Sequence, residues 1–312
     1  MARLHVEGWA PEYGASIEPF EDLAPTEGSV DLDVEDRPWE PVAAGAADVA
    51  RVCFVDGVRR VDARLVLDGE GAPVPGIAGS FGVGCVTWDR EARRSEITET
   101  DIRRLAILAG GRSVRMPDTG SGVTYEVQSI ADADPASLVR RFHGAMRRAE
   151  ADLTERLAGE GKFVIADGPL YETTPAQKIG YIKSHRVSYL NPEAGSIIGA
   201  LEPGQRTPLF TIKGYERYSW YLRLARAPGG HSWSGIARCE ASASMAVGEA
   251  ALLADRAAAL LPVVASQAHR DPRAPQNLVP IAGLERHLRH LLGDPGLVLR
   301  RLRAAFVGGV AA

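Results

Sequence analysis

Cysteine is scarce in this sequence. Cys53, Cys85 and Cys239 are the only three in 312 residues, they lie far apart, and each sits in an apolar or strand-like run. That spacing fits no zinc site, and an odd number argues against a disulfide framework, which leaves buried thiols in a reducing compartment. No apolar run is long enough to cross a bilayer and no charged-then-apolar leader opens the chain, so the sequence reads as cytoplasmic, with no membrane partner. There is no Walker motif, so any ATP-driven movement has to come from a partner. Internal repeats and low-complexity linkers are absent as well. An excess of basic residues is also missing: the net charge is −4, a sum that does not advertise nucleic-acid binding. The distribution is less even. Acids crowd the first forty residues, whereas arginines from Arg270 to Arg303 dominate the last fifty, so an acidic protein can still carry a basic face.

What is present suits a globular protein, with 45% hydrophobic and 24% charged residues in a length that gives one large domain or two modest ones. The chain is organised around Val52–Val55, an apolar run leading into Asp56-Gly57, with a second β-prone run from Val61 to Leu67. This pattern predicts a buried strand that ends at Asp56, turns at Gly57 and folds back as a hairpin. A near-copy follows downstream, where the run from Phe163 ends in Asp167-Gly168. Taken alone, either Asp-Gly pair reads as a turn. Taken together, they predict neighbouring strands that bring two carboxylates to one place.

Between them, Asp134-Pro135 opens a helix to about Leu157, with Leu138, Phe142, Met146, Ala149 and Leu153 on one face. Glu150 lies at the margin of that stripe and is expected to point inward, with Glu155 as the fallback. Strands are expected at 78–88, 123–130, 177–184, 209–212, 219–224 and 232–240, while 101–113 is ambiguous. An alanine-rich helix from Ser244 ends near Pro262, and two helical segments, to Leu292 and from Pro295 to Phe306, close the chain. Residues 1–45, rich in Pro, Gly and acids, hold little to build a core with, yet Trp9, Tyr13, Phe20 and Trp39 are scattered among them. They read as an arm lying on its own domain or on a partner. The alternation of strands and helices favours a mixed α/β domain over 46–312. Three consecutive strands with a carboxylate on the first are how an RNase H-like sheet begins.

Asp56, Glu150 and Asp167 form an all-oxygen donor set suited to hard cations such as Mg²⁺ and Mn²⁺. Such a set seats two ions roughly 3.5–4 Å apart, the arrangement for phosphodiester hydrolysis. His287 in the tail is a candidate further ligand or proton acceptor, although His287 and His290 read equally as surface residues of a basic helix. Lys183, after the second Asp-Gly strand, would offset phosphate charge as a point cation. Arg59 and Arg60 alternate across a strand, so only one can face the site. Arg286 and Arg289, three apart, form a cationic stripe for a DNA backbone. Tyr218, Trp220 and Tyr221 are favoured as core or dimer interface over base stacking.

The segments FVDG (54–57), IADGPL (165–170), GYIKS (180–184) and PIAGLERH (280–287), together with a helix glutamate, resemble the NurA nuclease family over about residues 50–303. The chain has Val58 where many members have serine, and no tyrosine near Val279 where some members have one. The resemblance implies an RNase H-like core and a DNA-end-processing nuclease, both exonuclease and single-strand endonuclease. It implies Mn²⁺ (or Mg²⁺) held by Asp56, Glu150 and Asp167, with His287 as a fourth metal-site residue. It further implies a homodimer working on DNA with a HerA-type hexameric ATPase in end resection, repair or phage defence. On that reading the arm at 1–45 contacts a second chain. The competing expectation is a catalytically silent subunit of the same fold that binds DNA or regulates the ATPase.

Overall fold

The computed structural model describes residues 3–6, 30–45, 49–68, 72–119, 122–132, 134–183, 189–226, 233–267, 269–271 and 274–308. Three short strands come first: β1 (Arg3–Val6), β2 (Val30–Asp31) and β3 (Val42–Ala43). Three long ones follow, β4 (Arg51–Asp68), β5 (Val74–Asp89) and β6 (Arg94–Leu108), then the short β7 (Glu126–Ser129). Helix α1 (Pro135–Gly159) leads to β8 (Val164–Asp167), β9 (Lys178–Ile182) and helix α2 (Pro192–Ala200). Strands β10 (Gln205–Arg206), β11 (Phe210–Ile212), β12 (Tyr215–Arg223) and β13 (Ile236–Ser242) complete the sheet. Helices α3 (Val247–Val264), α4 (Val279–Leu291) and α5 (Pro295–Gly308) close the chain.

All the strands join one mixed sheet whose main path runs β2-β11-β12-β13-β9-β8-β4-β5-β6-β7. Strands β4, β8 and β9 run parallel, as do β6 and β7, and the other pairings are antiparallel. This is a mixed α/β protein with helices on both faces of the sheet. On one face α1 buries Leu138, Phe142, Met146 and Ala149 against Ile77, Phe81, Val83 and Leu105. The Asp134 carboxylate caps α1 by accepting from the Ala136 N–H, as its position before Pro135 predicts. On the other face α3 and α4 cover Phe54, Ile165, Tyr181 and Trp220. Each large side chain buried this way contributes about 1.5–3 kcal/mol, so the two faces hold the central strands firmly. Trp220 and Tyr221 are core residues, Tyr218 is half-buried against that core, and all three cysteines are buried thiols.

The expected hairpin at Gly57 is not there. Strand β4 runs straight through Asp56-Gly57, which pair in register with Gly84 and Val83 of β5. Gly57 keeps ordinary extended backbone, whereas Gly168 has φ +102 and does turn the chain. The two Asp-Gly pairs therefore look alike in sequence but serve different purposes, since a left-handed turn needs the glycine only at 168. Helix α2 was not expected, and Pro262 lies inside α3, which continues to Val264.

Part of the expected arm belongs to the sheet. Strand β2 pairs with β11, β3 pairs with β10, and β1 pairs with the end of β4. Trp39 donates its indole N–H to the Ala194 carbonyl at 2.9 Å. The Glu35 carboxylate grips the fully buried Arg206 guanidinium at 2.8 Å through both oxygens, and Asp255 takes the same guanidinium at 2.7 Å. Burial alone would raise the Glu35 pKa, but Arg206 and the Leu209 N–H together hold it down at about 2. Residues 30–45 thus fold with the domain rather than apart from it. Trp9, Tyr13 and Phe20 lie outside the described residues. We expect Glu35→Ala to cost about 3–5 kcal/mol in urea unfolding, because it leaves a buried guanidinium short of a partner. The depressed Glu35 pKa gives stability above the unfolded-state value that disappears as pH falls through about 2. The gap between wild type and variant should therefore narrow progressively as pH falls from about 4.5 towards about 2.

Candidate metal centre

Asp56 lies a third of the way along the 18 residues of β4, at the level where its neighbour β8 ends. The parallel pairing of β4 with β8 runs from Cys53–Val164 to Val55–Ala166, and the next step brings Asp56 level with Asp167. Beyond that level β8 leaves the sheet, and among the described residues that edge of β4 is paired again only from Leu65, by β1. The carboxylates thus lie at a gap in the sheet.

Side-chain alternation decides which helix each residue meets. Gly84 is paired with Asp56, and a Cβ at Gly84 would come within 3.0 Å of the Leu284 side chain on α4. Asp56 therefore faces α4. Helix α4 buries Ile281, Leu284 and Leu288, and Glu285 is buried with them. Carboxylate oxygens of Asp56, Asp167 and Glu285 all lie within 4.8 Å of one another. Glu150 arrives from the opposite face, on α1, and is also buried. The missing side chain of Gly57 gives it room, since a Cβ there would stand 2.5 Å from Glu150 Oε1. Glu150 is outside the 4.8 Å group but close enough to act on it electrostatically.

The Asp56 carboxylate is the member of the group best suited to a cation. Oδ1 accepts the Gly57 N–H at 2.7 Å, while Oδ2 is buried with no hydrogen-bond partner. Burial raises the Asp56 pKa well above its ordinary value, and the charges of Asp167, Glu150 and Glu285 add to the rise against the opposing Lys183. A buried acceptor without a donor, crowded by like charges, is costly unless a cation joins it. An all-oxygen set of this kind fits a hard divalent ion, so the residues pass the test of donor chemistry.

Cations rim the group. Lys183 Nζ lies 2.6 Å from Asp167 Oδ2 and 3.1 Å from the Asn277 side-chain oxygen. Arg147 spans Glu150 at 3.4 Å and the Pro169 carbonyl at 2.9 Å. Arg59 is half-buried and feels the Glu150 charge, although burial dominates and lowers its pKa. Arg60 points the other way, pairing with Asp62 at 2.7 Å and donating to the Leu292 and Gly293 carbonyls that end α4. The turn after Asp167 is pinned as well: the Leu170 N–H donates to the fully buried Glu240 at 2.8 Å, and Arg217 donates to the Leu170 carbonyl. Ser184 and His185 lie outside the described residues. Glu155 is engaged elsewhere, by the buried Lys178 and Thr174.

On α4, Arg286 and His290 are exposed, Arg289 reaches back to Glu285 at 3.1 Å, and His287 is half-buried. Residues two apart on a helix point to different sides, so Glu285 and His287 do not present to the same spot. Glu285 was missed in the sequence, yet it left a signal. It falls four residues after Ile281 and three before Leu288, which places a carboxylate on an otherwise apolar helical stripe.

Two glycines give a contrasting test. Gly57→Ala collides at 2.5 Å with the movable end of Glu150 and stands 3.2 Å from the Gly82 backbone carbonyl, whereas Gly84→Ala would come within 2.7 Å of the fixed Glu99 backbone carbonyl. We expect Gly84→Ala to destabilise by about 1–3 kcal/mol. Gly57→Ala should unfold within about 1 kcal/mol of wild type but displace Glu150, and it should lose Mn²⁺-dependent heat in titration calorimetry.

The fold and site together define a mixed α/β protein with a buried carboxylate centre. No protein-family model matches the sequence, and no curated protein matches it. Among solved structures it is similar to the NurA nuclease from Sulfolobus solfataricus, at 11% identity and TM-score 0.44, covering 84% of this chain and 88% of that one. It is also similar to human ENDOV at 12% identity and TM-score 0.31, covering 77% of this chain and 83% of that one. The catalytic domain of human endonuclease V gives 14% identity and TM-score 0.31, covering 79% and 85%. Among the described residues, no helix is long and apolar enough to cross a membrane.

Proposed function

We propose that this protein is a Mn²⁺- or Mg²⁺-dependent DNA nuclease. The observation that carries the reading is the Asp56–Asp167–Glu285 group, with Asp56 and Glu285 buried, Asp167 half-buried and one Asp56 oxygen partnerless. These three residues would hold the first ion, and Glu150 beside them would share a second. Bound there, such ions supply a Lewis acid for a phosphate oxygen and a water acidic enough to act as nucleophile at neutral pH. Asp56 is held rigid by β4 and the Gly57 N–H, which fixes where a scissile phosphate must lie. Lys183 offsets charge on Asp167 and offers a cation to the phosphate, with Arg59 behind Glu150. Arg286 and Arg289, on the outer side of α4, would track the DNA backbone, and His287 remains a candidate for metal or proton work. The strand order β6-β5-β4-β8-β9, antiparallel then parallel, supports an RNase H-like core.

On the motif resemblance, the enzyme acts as exonuclease and single-strand endonuclease, as a homodimer with a HerA-type ATPase, in end resection, repair or phage defence. The test is digestion of end-labelled linear DNA by the purified protein with Mn²⁺, Mg²⁺ or EDTA. Products that appear with Mn²⁺ and vanish with EDTA support the reading. Tight DNA binding with no cleavage in any metal would favour the silent-subunit alternative.

A further inference from the structure

Tyr171 is the one aromatic among the exposed large hydrophobic residues in the described part of the chain, at 47% exposure. It lies four residues after Asp167 and lines the same groove as Glu150, Asp167, Arg147 and Pro169. Its ring is held in place. The Arg148 guanidinium lies over it, 4.5 Å from the ring centroid, and also donates to the phenol oxygen at 3.3 Å. Arg148 is itself anchored to Glu172 at 2.6 Å. The loop below is fixed by the bonds that Arg147, Arg217 and Glu240 make to Pro169 and Leu170.

A tyrosine kept out of the core, backed by a cation and set beside the carboxylates, has a shape that fits one kind of partner. An aromatic ring at the edge of a phosphate-directed groove takes the π-face of a base, and a cation over its other side strengthens the stack. Bases inside a duplex have both faces covered by their neighbours, so the ring is open to an unpaired base or to the last pair at a duplex end, and a splayed single strand offers it the most faces. Because the ring is already oriented, little freedom is lost when the base arrives. We infer that Tyr171, backed by Arg148, is a stacking platform for an unpaired base of a single DNA strand entering the carboxylate groove. This rests on the nuclease reading for its choice of DNA, and it adds the residue pair that would hold a base of the single strand beside the carboxylates.

The test is fluorescence-anisotropy binding of a short labelled oligothymidylate to the full chain in EDTA, where no cleavage can run. Tyr171→Ala should weaken binding about tenfold, the loss of one base–aromatic stack, and Tyr171→Phe should stay within about twofold of wild type. A strand made wholly of abasic sites offers no base to stack, so it should bind wild type and Tyr171→Ala alike. The inference is overturned if Tyr171→Ala binds oligothymidylate as tightly as wild type. It is equally overturned if the variant loses as much affinity for the abasic strand, since the contact would then be to the backbone. Absence of Mn²⁺-dependent cleavage would count against the nuclease reading alone and leave this binding result to stand or fall separately.

Discussion

Asp56→Asn should reduce Mn²⁺-dependent cleavage by at least about 10³-fold and, in the same preparation, make the metal-free protein more stable. The first effect follows from losing the central ligand of the group, because a bound ion supplies several kcal/mol of charge stabilisation and each 1.36 kcal/mol is a factor of ten. The second follows from the state of the site without metal. Asp56 Oδ2 is buried without a donor, and the neighbouring charges of Asp167, Glu150 and Glu285 raise its pKa further after burial has done so. An asparagine of the same shape removes one of the crowded charges and places an N–H₂ where those oxygens can accept from it. Each kcal/mol relieved raises the melting temperature by roughly 2–4 °C in a domain of this order of size. The sign with pH is fixed by the direction of the shift. A carboxyl whose folded pKa is raised contributes stability below its unfolded pKa and loses it as pH rises through the folded value. The advantage of Asp56→Asn should therefore grow as the pH is raised in EDTA. Saturating Mn²⁺ should reverse the order, since only the wild type gains binding energy in the folded state. Scanning calorimetry with EDTA and with Mn²⁺ checks both halves, and a variant no more stable than wild type in EDTA would show that the carboxylates are not in conflict.

The parts of this arrangement legible in the sequence are those set by local pattern. The α1 stripe from Leu138 to Leu153 read correctly because a helix face is written at short range, and its Asp134 cap and Pro135 fixed the start. The apolar runs before Asp56 and Asp167 gave the strands, and their placement side by side was expected from the repeat. The role of Gly57 was not legible. Nothing local separates a glycine that turns the chain from one that makes room for Glu150, a residue 93 positions away. Gly168 shows the other outcome from the same dipeptide, because it alone takes the left-handed backbone. The position of the arm was also hidden. Glu35 and Arg206 meet across 171 positions, and an ion pair of that separation leaves no periodicity to read. Glu285 lay between these extremes: its place on an apolar stripe was visible, but only the docking of α4 decides that it, rather than His287 two residues on, meets Asp56 and Asp167.

That pair sets the other large expected effect. Glu285→Gln should cut cleavage at saturating DNA by about 10²–10³-fold and weaken Mn²⁺ binding, because its oxygen lies within 4.8 Å of those of both Asp56 and Asp167. The glutamine keeps the volume that α4 buries between Leu284 and Leu288, so folding should be spared. His287→Ala tests a different possibility. It removes a half-buried ring two residues further on, which points away from the side that Glu285 presents. If His287 is a ligand or proton carrier, as the motif resemblance implies, its loss should lower turnover while Mn²⁺ affinity or the pH profile shifts with it, and DNA affinity should hold. If instead the imidazole only lines the DNA path beside Arg286, the alanine variant should weaken DNA binding and keep turnover at saturation. Mn²⁺ titration calorimetry on Glu285→Gln and His287→Ala, paired with single-turnover cleavage at saturating DNA, separates these outcomes. Unaltered Mn²⁺ affinity in Glu285→Gln would remove α4 from the metal centre and leave Asp56, Asp167 and Glu150 as its ligands.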